Sequence, residues 1–265
     1  MKQVLFLLMG LCVVNAAVAQ ETPKTPETPE TPEEPKAPPK NPALEILEKA
    51  DAATKAVKLV SYKGEVKATG WVAPQVTAGS GTAVIGGDCF SRPRQFRFDV
   101  RFQPAGATAT LDVVAGSDGQ KYFLIDRADQ VVYKGENPAV GGSDIADAAF
   151  ISMTEYCHPR PFQDELRGEK QELKGKTTIG NEECYEIHVT YSGGQGQAVW
   201  FFSTKDNLPR RVDRIVRNQS GEEGVITTTL TDLVVDPKLQ DPFQAYVPEG
   251  YAESSKFKPR RRTPR

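Results

Sequence analysis

Between Gln95 and Lys134 the chain reads as extended runs joined by short turns, and this stretch constrains the fold more than any other. Phe96, Phe98, Val100 and Phe102 fall on every second position, with Arg97, Asp99 and Arg101 between them. A period of two sends alternate side chains to opposite faces, so the run predicts a half-buried strand with one apolar and one charged face. Further extended runs follow at 109–116, 120–126 and 131–134. Ser117-Asp118-Gly119 and Arg127-Ala128-Asp129-Gln130 connect them, residues that tolerate the backbone angles of a tight reversal. The product is an antiparallel meander. Its apolar parity holds Phe96, Phe98, Val100 and Phe102 on the first run and Val113 on the second, and these are the candidate lining of the inner surface.

The flanks extend the pattern. Asn41-Pro42 opens a helix, with Asn capping free N–H groups and Pro at the first helical position. Ala43, Ile46, Leu47, Ala50, Ala53 and Val57 form its apolar stripe. A long strand then places Val60, Tyr62, Gly64, Val66, Ala68 and Gly70 on one face, and a short strand at 80–85 leads into the meander. After a loop at 135–142, Ser143 opens a helix running to Cys157-His158, and a short helical segment is expected at 162–167. Strands resume at 173–179, 184–191, 197–203, 210–217 and 224–235. Nine or more short-looped, consecutive antiparallel strands with helices only at the start and in the middle predict an α+β, mainly antiparallel fold. The economical architecture is a curved sheet or half-open barrel, with the helical insertion as a lid over its open face.

The ends differ in composition from this body. Lys2 is followed by an apolar run from Val4 to Val14 and by Ala17-Val18-Ala19, the pattern of a cleaved export signal, so residues 1–19 are expected to be removed before Gln20 and the protein to be periplasmic. Residues 20–42 contain eight Pro among 23 and predict a disordered spacer. The folded body is expected at 43–252, followed by a disordered basic tail at 253–265. From Lys256 to Arg265 the chain holds six cations and no acid, which suits an anionic membrane surface; export disfavours nucleic acid.

Candidates for covalent chemistry are few. His158 and His188 are the only histidines, and His188 shares a strand face with Glu186 and Thr190, so no metal site is expected. No nucleophile elbow or phosphate loop is present, and Gly193-Gly194-Gln195-Gly196 joins two strands rather than opening a helix. The expectation is a monomeric protein that is not an enzyme and needs no cofactor. Cys89, Cys157 and Cys184 remain after processing in an oxidising compartment, which allows one disulfide. Cys89–Cys157 is the favoured pairing, joining the start of the aromatic strand to the covering helix; three reduced thiols are the alternative.

The order of these features resembles the LolA superfamily of periplasmic lipoprotein carriers. The matching features are the helix and long strand, Arg92-Pro93-Arg94-Gln95-Phe96-Arg97-Phe98, the strand into Ser117-Asp118-Gly119, and the aromatic strand ending at Asp126. Cys184-Tyr185-Glu186-Ile187, Trp200-Phe201-Phe202, Asn207-Leu208-Pro209-Arg210-Arg211 and Tyr246-Val247-Pro248-Glu249-Gly250-Tyr251 are similar to LolA-like proteins of unassigned function. The resemblance implies a half-open barrel with a hydrophobic inner face that binds a lipid or an acylated protein, with Phe96 and Phe98 on its aromatic strand and Arg92 latching the lid. A sensory or scaffolding domain of the same fold that binds a protein partner is the alternative. The Pro-rich leader, the basic tail and the three cysteines depart from the carrier pattern.

Overall fold

The computed structural model describes residues 40–86, 95–194 and 196–258. Helix α1 (Pro42–Ala56) starts where the Asn41 side chain accepts from the Ala43 N–H at 3.0 Å and donates to the Gln171 carbonyl at 3.1 Å, so one residue both caps the helix and ties it to the sheet. Ala43, Ile46, Leu47, Ala50 and Thr54 form its buried stripe.

Among the described residues there are twelve strands: β1 (Leu59–Gly70), β2 (Ala78–Gly86), β3 (Gln95–Gln103), β4 (Leu111–Asp118), β5 (Tyr122–Asp126), β6 (Val131–Gly135), β7 (Lys170–Ile179), β8 (Glu182–Thr190), β9 (Gln197–Ser203), β10 (Pro209–Arg217), β11 (Glu223–Val235) and β12 (Ala252–Ser254). They make one sheet in the order β12-β6-β5-β4-β3-β2-β1-β11-β10-β9-β8-β7. It is mainly antiparallel, curved and not closed into a barrel. Two runs of hairpins, β1 to β6 and β7 to β11, meet where β1 pairs with β11. The expectation of consecutive antiparallel neighbours therefore fails at two places: β1 and β11 are far apart in the chain, and β12 lies parallel to β6. Alternation along a strand reports its faces but not its neighbour, so neither pairing was readable from periodicity.

The turns follow the expected chemistry. Asp118 Oδ1 accepts from the N–H groups of Gln120 and Lys121, both at 2.7 Å, beside Gly119 at φ +99°. Asp126 Oδ1 accepts from Ala128 and Asp129, both at 3.0 Å, before β6 begins.

The register builds the inner face. Tyr62 pairs with Ala83, Ala83 with Phe98, Phe98 with Ala115, Ala115 with Leu124, and Leu124 with Tyr133, so one buried row crosses six strands. Alanine at the second and fourth places of this row leaves depressions between the large side chains, and the insertion packs over them.

That insertion is not the continuous helix expected over 143–157. Helix α2 (Gly142–Ala148) gives way to 3₁₀ turns at Ala149–Ile151 and Thr154–Cys157, and α3 (Gln163–Leu166) is a single turn. Between the two 3₁₀ turns Ser152 adopts an extended ψ of 117°. The break has a local cause, since the Tyr62 hydroxyl engages the backbone at Ile151 and Met153 and takes bonds that a continuing helix would use internally. Helix α2 lies over β3, β4 and β5, the 149–151 turn over β1 and β2, and the 154–157 turn and α3 beside α1.

On the opposite face, the segment between β11 and β12 covers a second apolar cluster of Val114, Phe123, Ile125 and Val132 with Ala245 and Tyr251. Arg97 stacks over Phe123 at 5.9 Å and over Tyr246 at 5.1 Å and donates to the Gln244 carbonyl at 3.2 Å. Glu253 and Ser254, placed in the tail by the sequence reading, lie in β12, and packing continues to Phe257.

Candidate functional site

Phe98, Val100, Phe102 and Val113 are at most 3% exposed and belong to the main core, with Phe96 partly buried at its margin. Phe96 stacks on Phe98 at 5.1 Å and approaches Tyr122 at 6.3 Å, and Phe102 meets Phe150 of the insertion at 5.2 Å. The five residues share one face because β3 and β4 pair Val100 with Val113 and Phe98 with Ala115. Arg92 and Cys89 lie outside the described residues. Cys157 is disulfide-bonded, whereas Cys184 is a free thiol buried on the outer face beside Val199 and Phe201. Burial pushes the Cys184 thiol up to about 11, so it stays protonated.

The inner face is closed by the insertion. Where Phe96 and Phe98 meet Ala149 and Ser152, a cavity of about 70 Å³ remains, also lined by Ile85, Gly86 and Gln95. A site for a small organic ligand needs on the order of 300 to 1,000 Å³, so an occupant of this face has to displace part of the insertion.

Polar groups of the sheet and of α1 help hold it in place. The fully buried Tyr62 hydroxyl donates to the Ile151 carbonyl at 3.0 Å and accepts from the Met153 N–H at 2.8 Å. Burial keeps that hydroxyl protonated by raising its pKa far above the ordinary range. Gly64, two residues along the same face, makes room for the contact: a Cβ there would lie 3.1 Å from the Ile151 Cβ. Farther along, Tyr156 donates to the Pro209 carbonyl at 3.3 Å and Asp51 accepts from the Phe162 N–H at 3.1 Å. Phe162 stands edge-on to both Trp200 and Phe202 at 5.1 Å.

The second half of the insertion also meets β10 along an open polar cleft of about 600 Å³, whose walls include His158, Asp164 and Gln197. Contacts between described residues bridge it. Arg214 pairs with Glu155 at 3.1 Å, and the Tyr191 hydroxyl donates to Glu165 at 2.7 Å. Burial raises the Glu165 carboxyl above its usual range, and the Tyr191 hydrogen bond only partly offsets that. Among the described residues no three His, Cys, Asp or Glu side chains converge as a metal site, and His188 is paired with Glu186 at 2.7 Å. The groups assembled here suit burial of an apolar ligand under a displaceable cover.

Sequence reasoning located the aromatic strand but missed Tyr62, Gly64 and Phe162. A tyrosine on the buried parity of a strand is itself an indication, because its hydroxyl must find a partner. Which partner it finds depends on where the insertion lies, and no local pattern encodes that.

No family model matches the chain, and no curated protein sequence matches it. Solved structures do. LprF from Mycobacterium bovis superposes with a TM-score of 0.50 at 13% identity, covering 79% of this chain and 97% of that one. The Mycobacterium tuberculosis lipoprotein LppX gives 0.43 at 14% identity, covering 74% and 96%. A LolA superfamily protein from Nitrosomonas europaea gives 0.28 at 10% identity, covering 77% and 97%. At these identities the likeness concerns the fold, and LprF carries it. The chain shares its fold with LprF, a curved open sheet with helices packed on its inner face.

Proposed function

We propose that this protein is an exported binding protein, a carrier or chaperone, that takes up a lipid or the acyl chains of a lipoprotein on the inner face of its sheet without covalent chemistry. The observation that carries the reading is the row from Tyr62 to Tyr133, an apolar surface six strands wide that is covered by short helical turns. At about 25 cal/mol per Å², an acyl chain that removes about 300 Å² from water gains on the order of 7 kcal/mol before binding costs. Among the described residues no helix is long and apolar enough to cross a membrane, in keeping with export of a soluble body after cleavage before Gln20.

Native mass spectrometry of protein purified from its own cell envelope tests the reading: acyl chains should co-purify, and a delipidated sample should recover them. Replacing Phe98 by Asp buries a carboxylate in the row and should abolish uptake of a fluorescent fatty-acid analogue. Normal uptake by folded Phe98→Asp overturns the assignment of this face. Recovery of a protein partner and no lipid favours the scaffolding alternative.

A further inference from the structure

Gly142, the first residue of α2, has φ +58°, and a Cβ built there would collide with the ring of Phe257. The same ring packs edge-on against Tyr133 at 5.2 Å, at the end of the buried row opposite Tyr62. Phe257 thus wedges between the inner-face row and the point where the chain turns into the lid. It reaches this position through a slender attachment: β12 pairs with β6 at only three residues, Lys134 meets Glu253 at 3.0 Å, and the Ser254 hydroxyl accepts from the Lys256 N–H at 3.1 Å. On either side of the half-buried ring, Lys256 and Lys258 are exposed. Beyond them the chain continues with Arg260, Arg261, Arg262 and Arg265 and no acidic residue.

We propose that this segment is a membrane-responsive latch, in which an anionic bilayer captures the basic run from Lys256, draws Phe257 away from Tyr133 and Gly142, and so frees the first half of the lid. The ring and the cations compete for one short stretch of chain. Lys256 and Lys258 adjoin Phe257 directly, so drawing both onto a charged surface pulls on the wedge between them, and the aromatic ring gains a favourable place at the headgroup boundary. Gly142 then loses the contact that restrains its positive-φ turn, and α2 can lift from β3, β4 and β5 as a unit. Lid opening is thereby confined to the surface where a lipid can be collected or delivered. This inference rests on the lipid-binding reading of the inner face.

The test uses the full chain and reads amide hydrogen exchange over residues 142–151, with vesicles of phosphatidylcholine alone or mixed equally with phosphatidylglycerol. Anionic vesicles should bind wild type and speed exchange in this segment on the order of tenfold, and neutral vesicles should do neither. Phe257→Ala should exchange rapidly without vesicles and respond no further. Arg260→Glu/Arg261→Glu/Arg262→Glu should keep slow exchange and lose the vesicle response. Unchanged protection in wild type bound to anionic vesicles, or in Phe257→Ala, overturns the latch. Equal opening by soluble polyphosphate overturns its assignment to membranes. Because the readout is lid exchange and not ligand uptake, an opening response with no acyl uptake would refute the lipid-binding reading while leaving the latch standing.

Discussion

Tyr62→Phe isolates the contact that closes the lid over the inner face. The ring and its packing are kept, and only the hydroxyl that joins the Ile151 carbonyl and the Met153 N–H is lost. In the closed lid both backbone groups then stay buried without that partner, since Ile151 is fully buried and Met153 is 2% exposed. With the lid open they reach water. The penalty therefore falls on the closed state alone, and a buried group left unsatisfied costs about 1 to 3 kcal/mol. At about 1.4 kcal/mol per tenfold, the open population rises by roughly 5-fold to more than 100-fold. Hydrogen exchange across residues 142–153 should speed by that factor while β3 and β4 stay protected, and the fatty-acid analogue should bind faster. If a folded Tyr62→Phe protein shows unchanged exchange in the insertion, the hydroxyl is not the latch and the argument from buried backbone groups is wrong.

Gly64→Ala places a methyl 3.1 Å from the Ile151 Cβ, which should loosen the insertion by about 1 kcal/mol or more; unaltered insertion exchange would contradict the close fit described here. Glu165 has a raised folded pKa, so its protonated form is favoured in the fold and wild type should gain stability relative to Glu165→Gln as pH falls from 7 through that pKa, with the gain complete below about 4.5. Parallel thermal-melting curves for the two proteins across this window would show that the carboxyl is not desolvated. Arg92→Leu tests the latch implied by family resemblance: faster ligand release and faster exchange at 143–157 are expected, and no change in either would leave Tyr62 as the latch that the sequence did not reveal.

Much of the sheet was legible because period-two alternation survives wherever one face is buried and the other is wet. β1 and β3 both meet that condition: Val60, Tyr62, Gly64 and Val66 are buried while Lys63, Glu65 and Lys67 are exposed. The Asn41 cap was legible because capping is local chemistry. β4 and β5 defeat the same rule, since Val113, Val114 and Ala115 are all buried, one face under α2 and the other under the strap that carries Ala245 and Tyr251. Nothing between β11 and β12 alternates strongly enough to announce that role. The insertion was misread for a related reason. Its residues are apolar on several sides because they fill depressions in a curved sheet, and a run like that satisfies a helical template even where a tyrosine from another strand interrupts the backbone ladder.

The two halves of the insertion are held by different physics, and this decides where a ligand gains access. From Thr154 onward the chain is fixed by the Cys157 disulfide, the Arg214–Glu155 and Tyr191–Glu165 bridges, the Asp51 contact and the edge-on packing of Phe162, so moving it breaks many bonds at once. From Gly142 to Ile151 the cover is one short helix and a 3₁₀ turn, bounded by the positive-φ Gly142 at one end and the extended Ser152 at the other. Its contacts with the sheet include the Phe102–Phe150 ring pair and, at its far end, the Tyr62 bond. A two-turn segment with a pivot at each end opens at lower cost than a stapled one. The 70 Å³ cavity lies on this side, against Ala149 and Ser152, and a growing apolar occupant would lift α2 away from Phe98 and Phe102. The larger polar cleft, between the fixed half and β10, then remains a solvent-filled seam through the cycle. Cross-linking the insertion to the sheet distinguishes the halves: a disulfide engineered between residues 149 and 85 should block uptake, whereas one between residues 163 and 214 should leave it intact. Uptake that survives the first cross-link and fails with the second would place access at the polar seam and reverse the argument.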